Sequence, residues 1–572
     1  MKRRDLLTAI VSNVSDETPP STVKKQTASE FANKKLPVVQ RTTTGLEQYA
    51  GPWGADQSLH LLRRTMFGAT KSDVDVLKTK TMLDAVDLLL TIPTTAPTPP
   101  VNNYNDKYPD PVVAAGQTWV NAPRGTDGTI NAVRIASFKS WWFGLILNES
   151  LSIVEKMTLF WHNHFSTETN VVSDARYIYK YNALLRQYAL GNFKELTKQI
   201  TIDPAMIRYL NGYANTKTAP DENYGRELQE LFTSGKGVNS QYTEADVKAA
   251  ARLLTGWRDD ATNITYTFDA TKHDTTDKQF SAYYNNTKII GRSGATAGTD
   301  ELNDLLTMIF AQQEVSKFIC RKLYRWFVYY VIDQNAEDNV IIPLAQIFRD
   351  NNYDIKPVLA ALLKSAHFYD AANIGCMIKN PVDVIAGTLR QFSIAFPNST
   401  AFVAQYVLWS AMQNSAAAME LNIGDPPNVA GWPAYYQIPQ YYELWINSDT
   451  LPKRKNFTDM CVTSGYQTTV NGIKYKLAID PIAFASIFSN PGDPNQLIAD
   501  MAQYLFAIQL SDNEKTTLKS ALLSGQISDY YWTNAWNDYI AAPTDVNKKN
   551  IVFTRLQSVM SYLLNIAEFQ LT

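Results

Sequence analysis

The stretch from Asp221 to Trp257, DENYGRELQELFTSGKGVNSQYTEADVKAAARLLTGW, carries a dense run of ionisable side chains on helix-forming sequence. In NYGRELQELF, spacings of 4 and 7 set Asn223, Glu227 and Glu230 along one stripe, beside an apolar stripe of Tyr224, Leu228, Leu231 and Phe232. Glu227 therefore lies at the edge of a buried face, where a carboxylate must be paired or coordinated. Arg226 can reach Glu222 and Glu230 one turn away, so ion pairing is one account of these acids. The other makes Glu227 and Glu230 metal ligands or a general base, as in bundles whose carboxylates and histidines project inward from facing helices.

The chain has only five histidines: His60, His162, His164, His273 and His367. On one helix over 154–165, His162 and His164 point about 200° apart and cannot share a ligand. His164 follows Met157 and Phe160 on the apolar face, where a ring needs a hydrogen-bond partner or a metal, whereas His162 aligns with Glu155 and Thr158 on the more polar side. His273 lies with Asp274, Asp277 and Lys278 in a polar segment that could complete a site begun on the helices, solvent-facing turn residues being the alternative. In GDPPNVAGWP, Asn428 precedes Trp432, whose flat ring suits a pocket wall or a sugar platform, or else anchors its own loop. The resulting assignment makes Glu227, Glu230 and His164 catalytic, His164, Glu227 and His273 metal ligands, and Trp432, Asn428, Arg226 and Asp274 binding residues. Imidazole with carboxylate suits zinc, iron or manganese better than calcium, and a divalent metal activating water makes hydrolysis the reaction class.

Standard catalytic signatures are missing: no HEXXH, no GxSxG elbow, no Walker loop and no dinucleotide GxGxxG. Gly235-Lys236-Gly237 reads as a helix C-cap, with Gly235 left-handed. Thr243 with Asp246 reads as a capping box, and Asp203-Pro204 as a helix start.

The elements that must position these residues are mostly helices. Periodic apolar spacing predicts a mainly α protein, a large multi-helix body with a small strand-bearing insertion around 260–300, where TNITYTF alternates β-branched and aromatic residues with polar ones. Residues 1–50 read as a flexible tail, 51–455 as a helical core, and 456–572 as a C-terminal helical region packed on it. Thr91–Pro111 is proline-rich and reads as a long loop. With a net charge of −2 over 572 residues there is no broad electrostatic case for nucleic acid or an anionic membrane. The three cysteines, Cys320, Cys376 and Cys461, form no CxxC pair, and no apolar run approaches the roughly 18–20 residues of a membrane span. Arg3-Arg4 followed by Asp5, Leu6 and Leu7 looks like a twin-arginine export start, although the apolar segment is brief and lacks a small-residue cleavage site; a disordered tail is the alternative. A working signal would place the chain in the periplasm or cell envelope, and its failure would leave it cytoplasmic.

Taken in order, several blocks resemble the bacterial family catalogued as domain of unknown function 1800. They are HLLRRTMFG (60–68), EKMTLFWHNHF (155–165), GNFKELTKQITIDPAMIRYLNG (191–212), ENYGRELQELFTSGKG (222–237), YTEADVKAAARLLTGW (242–257), FDATKHDTTDKQF (268–280), KNPVDVIAGTLR (379–390), and DPPNVAGWP with WINSDTLPKR (425–454), followed by a similar terminus, SYLLNIAEFQL. The resemblance implies kinship without an established reaction. It also implies export and an alkaline-phosphatase-like partner encoded alongside. Two functions follow as expectations: a metal-dependent helical hydrolase, or a non-catalytic cell-envelope protein that engages glycan or a protein partner.

Overall fold

A helix that is apolar all round must be interior. The segment Val154–His164 goes further, because every one of its residues is buried although it includes Glu155 and Lys156. Both charges are neutralised by neighbouring helices. Arg186, from Ala175–Gln187, grips Glu155 with two bonds of 2.6 and 3.0 Å, and Asp383, from Pro381–Gln391, meets Lys156 at 2.5 Å. On other sides Trp142 of Gly128–Leu147 donates to Glu155 at 3.2 Å, and Trp326 of Gln313–Phe327 packs edge-on against Phe160 with centroids 5.4 Å apart. This central helix thus organises the core around it.

The computed structural model describes residues 41–125 and 128–572, and residues 41–572 form one compact unit. The protein is mainly α: the sheets among the described residues are three two-stranded antiparallel ladders. Two lie in the expected insertion, Trp257–Asp260 against Thr265–Phe268 in the register Trp257↔Phe268, and Lys278–Gln279 against Lys288–Ile289. The third, Tyr466–Val470 against Ile473–Leu477, falls in a stretch whose sequence reads as mainly helical. Its turn residues Asn471 and Gly472 have φ of 50° and 78°, the left-handed pair that a tight two-residue hairpin requires. Gly128–Leu147 packs along Phe402–Ala418, and the approach is so close at Gly144 that a Cβ there would sit 2.6 Å from the Trp409 ring.

The local signals behave as their chemistry dictates. Thr243 and Asp246 close a capping box, Asp203 caps a helix with Pro204 in its first turn, and Gly235 adopts φ +78°. Thr70 likewise closes a capping box with Asp73 at the start of Lys71–Leu77. Residues 41–50, read as part of a flexible tail, are tied down: Gln48 bridges Ser365, Tyr49 donates to the Lys364 carbonyl, and Arg41 bonds Asn373. The Arg3-Arg4 export start lies outside the described residues. No helix among the described residues is long and apolar enough to cross a membrane.

Candidate functional site

The predicted cluster does not assemble into one centre. Among the described residues no group of three or more His, Cys, Asp or Glu side chains could hold a metal ion, so the metal set of His164, Glu227 and His273 is corrected. His273 faces elsewhere: its Nε2 meets Glu301 at 3.2 Å, and Glu301 also accepts from Lys278 at 2.6 Å and from the Arg292 backbone at 2.6 Å. All three side chains are shut from solvent, with exposures of 1% or less. Burial alone would raise the Glu301 carboxyl, yet the bonds from His273 and Lys278 hold it below the usual range. This is a dry, fully paired network.

His164 serves the helix end beside it. After Asn223–Glu227 the chain widens into a π-helical turn, Leu228–Thr233, and the Phe232 carbonyl within that turn accepts from His164 Nε2 at 3.0 Å. The Phe232 carbonyl can only accept, so the ring proton sits on Nε2, and the other nitrogen, Nδ1, lies 3.0 Å from Lys322 Nζ. Burial pushes His164 well down and brings Lys322 down to about 7. His162 is buried as well, against the polar face expected for it. Its ring stands among Trp142, Tyr181 and Trp432, neither nitrogen has a partner, and burial lowers it to about 4.

The predicted carboxylates also separate. Glu230 pairs with Lys236 at 2.8 Å, while Arg226 pairs with Glu222 at 3.2 Å and Glu244 at 2.7 Å instead of with Glu230. Glu227 has neither a hydrogen bond nor an ion pair among the described residues, and burial, with Glu230 beside it, raises its carboxyl. Asp274 is held by Arg252 at 2.8 Å, and the bonds from Arg252 and Thr276 outweigh burial to bring it down to about 2. Trp432 is no exposed platform: it is 1% exposed, and its backbone N–H donates to Asn163 Oδ1 at 2.8 Å. Asn428 shapes the same loop through bonds to Tyr436 and the Ala430 backbone.

The structure supplies a different site. A cleft of about 580 Å³ opens where the Gly128–Leu147 helix turns into the central helix. Trp141, Leu145, Tyr179, Pro93 and Pro97 form apolar walls, and Asn148, Glu149, Ser152, Glu155, Arg186 and Gln187 supply the polar groups. Trp141 Nε1 donates to the Thr98 carbonyl at 2.7 Å and Ser152 Oγ to the Thr91 carbonyl at 3.2 Å, which pins both ends of the proline-rich rim. A concave, largely apolar hollow with a few convergent polar groups is the geometry of a small-molecule site.

Its two carboxyl groups have opposite environments. Glu155 is gripped in bidentate fashion by Arg186, which Asn182 steadies through a 2.7 Å bond. Glu149 accepts the Phe67 N–H at 2.8 Å on Oε1, has Arg390 at 3.7 Å, and has no partner at all on Oε2. Burial pushes it up to about 8, with Glu155 adding to the rise and Arg390 opposing it. At neutral pH Glu149 therefore keeps its proton. One carboxyl protonated beside one anchored carboxylate is the division of labour of acid–base catalysis.

In sequence Glu149 is a lone acid at a helix end, indistinguishable from a solvated one; no motif marked it.

A family model described as "Protein of unknown function (DUF1800)" matches residues 60–571. No curated protein and no solved structure matches the chain.

Proposed function

We propose, for a chain that belongs to the DUF1800 family of proteins of unknown function, that the Glu149 cleft is the working site of a hydrolase. Its ligand is a ring-bearing, hydroxyl-rich molecule of the saccharide type. The observation that carries this reading is a carboxyl pushed up to about 8, with one buried oxygen that has no partner, among the residues that line a 580 Å³ cleft. Glu149 donates its proton to the leaving group, Glu155 supplies the fixed negative charge, and the half-buried Tyr179 offers a ring face to a sugar. The test is turnover against a panel of oligosaccharides, peptidoglycan fragments included. Glu149→Gln keeps the shape and is expected to bind ligand while losing roughly 10²–10⁴-fold in rate. Wild-type rates should fall as pH rises through about 8, where the acid is lost. Glu227→Gln should leave turnover unchanged; the reverse pattern would move the chemistry to Glu227.

A second reading, a non-catalytic envelope protein that holds glycan in the same cleft, is favoured by the dry His273–Glu301–Lys278 network, which has the character of structural support. Saturable oligosaccharide binding with no turnover by the wild type would select it. An envelope setting and an alkaline-phosphatase-like partner belong to both readings and rest on the family resemblance alone.

A further inference from the structure

A second cavity, which shares no lining residue with the Glu149 cleft, is walled by positive charge. Arg63 and Arg64 enter it from Ala55–Thr65, Lys156 from the central helix, and Asn380 and Asp383 from the start of Pro381–Gln391. Lys379 and Arg454 lie behind this wall, close enough for their charges to act on one another and on Asp383. All five cations are buried: Arg63 is 7% exposed, Arg64 3%, Lys156 4%, Lys379 7% and Arg454 0%. Among the described residues the only ion pair any of them makes is Lys156–Asp383. The rest lean on neutral groups. Arg63 donates to the Tyr504 carbonyl, Arg64 to the Asn373 carbonyl, Lys379 to the Phe569 carbonyl and Arg454 to the Gln570 amide oxygen. The Nε atoms of Arg63, Arg64 and Arg454, and Nη2 of Arg454, have no partner.

Burying unpaired guanidinium groups is costly, and a fold retains the arrangement where a counter-charge offsets it. The cavity they surround is small, about 20 Å³, which suits a compact ion and not an extended molecule. We propose that this cavity is an anion site that takes a small tetrahedral oxyanion, phosphate or sulfate, held by Arg63, Arg64 and Lys156. Forked guanidinium donors match oxyanion geometry, and Asn380 adds a neutral polar group at the rim. Burial, with Arg63 nearby, brings Lys379 down to about 7. The sequence holds a trace of this site: Arg63 and Arg64 sit in an apolar helical run with no acidic residue three or four positions away.

The test uses the full chain. Equilibrium dialysis with labelled inorganic phosphate should reveal one saturable site, and phosphate or sulfate should raise Tm beyond chloride at matched ionic strength. Arg64→Gln should weaken phosphate binding roughly tenfold or more, since a charged donor at the cavity wall is lost. A bulky phosphomonoester should fail to compete if the site holds the free ion, and should compete if it holds the phosphate group of a larger ligand. Absence of saturable phosphate and sulfate binding to the wild-type chain would overturn the proposal even if Arg64→Gln does not fold. Unchanged binding by a folded Arg64→Gln would overturn it too.

Discussion

Glu149 and Glu301 are buried carboxyls of opposite character, and the difference comes from partners. Glu301 has the Lys278 ammonium, the His273 ring and a backbone N–H as partners, so it is stabilised as an anion; Glu149 has one backbone N–H and an arginine at 3.7 Å, so burial wins and it keeps its proton. The pH consequences have opposite sign. A carboxyl whose folded value is depressed contributes stability above its ordinary value of 4.5 and loses it as pH falls through the folded value. Glu301→Gln is accordingly expected to cost about 3–5 kcal/mol near neutrality, because Lys278 is left buried and unpaired, and to reduce the wild type's added loss of stability in acid. Urea midpoints at pH 7 and pH 3 would measure it. A raised carboxyl does the reverse: its contribution is present below 4.5 and lost as pH climbs to about 8. Glu149→Gln should flatten the decline of stability over that window, and a variant whose midpoint falls as steeply as wild type would contradict a protonated Glu149. The Trp432 ring follows from a similar local fact. Gly431 has φ +94°, and a Cβ there would lie 2.4 Å from Asn163 oxygens, so the loop is clamped to the central helix and the ring is driven inward.

At the scale of elements, the π-helical turn at Leu228–Thr233 explains why the predicted stripe of Asn223, Glu227 and Glu230 dissolves. A widened turn shifts every later side chain around the axis, so an i, i+4, i+7 argument carried through it loses its register. Glu230 then meets Lys236 and not Arg226. Where the helices are regular, short-range chemistry holds. Thr243→Ala should remove the reciprocal cap with Asp246 and cost about 1 kcal/mol, readable as a lower denaturant midpoint with an unchanged slope. Asp246 also accepts from the Ser281 N–H and hydroxyl, both at 2.7 Å, so the capping carboxylate docks the strand-bearing insertion onto its helix. A loss much larger than that of an ordinary cap would identify this second role.

For the whole molecule, the central helix collects charges from partners distant in sequence: Glu155 finds Arg186, Lys156 finds Asp383, and His164 finds Lys322. The chain's first described segment joins the same body through residues 365–373. Removing residues 41–50 from a chain that starts at Arg41 should lower Tm, because the Gln48–Ser365 bridge and the buried Thr42 contact with His367 are lost. An unchanged melting curve would mean that this segment adds nothing to the fold.

What the sequence by itself determined is the class and the punctuation: helices from apolar periodicity, caps from Thr243 and Asp203, a strand-bearing insertion near 260–300, and family membership from ordered blocks. These are legible because each depends on neighbours within a turn or two of the chain. The Asn471-Gly472 hairpin is equally local, its signal being a turn dipeptide between alternating strands. Only the tertiary structure decided which ionisable groups meet. Burial and charge pairing depend on groups far apart in the chain, as when Phe67 and Arg390 close around Glu149, and no residue spacing encodes them.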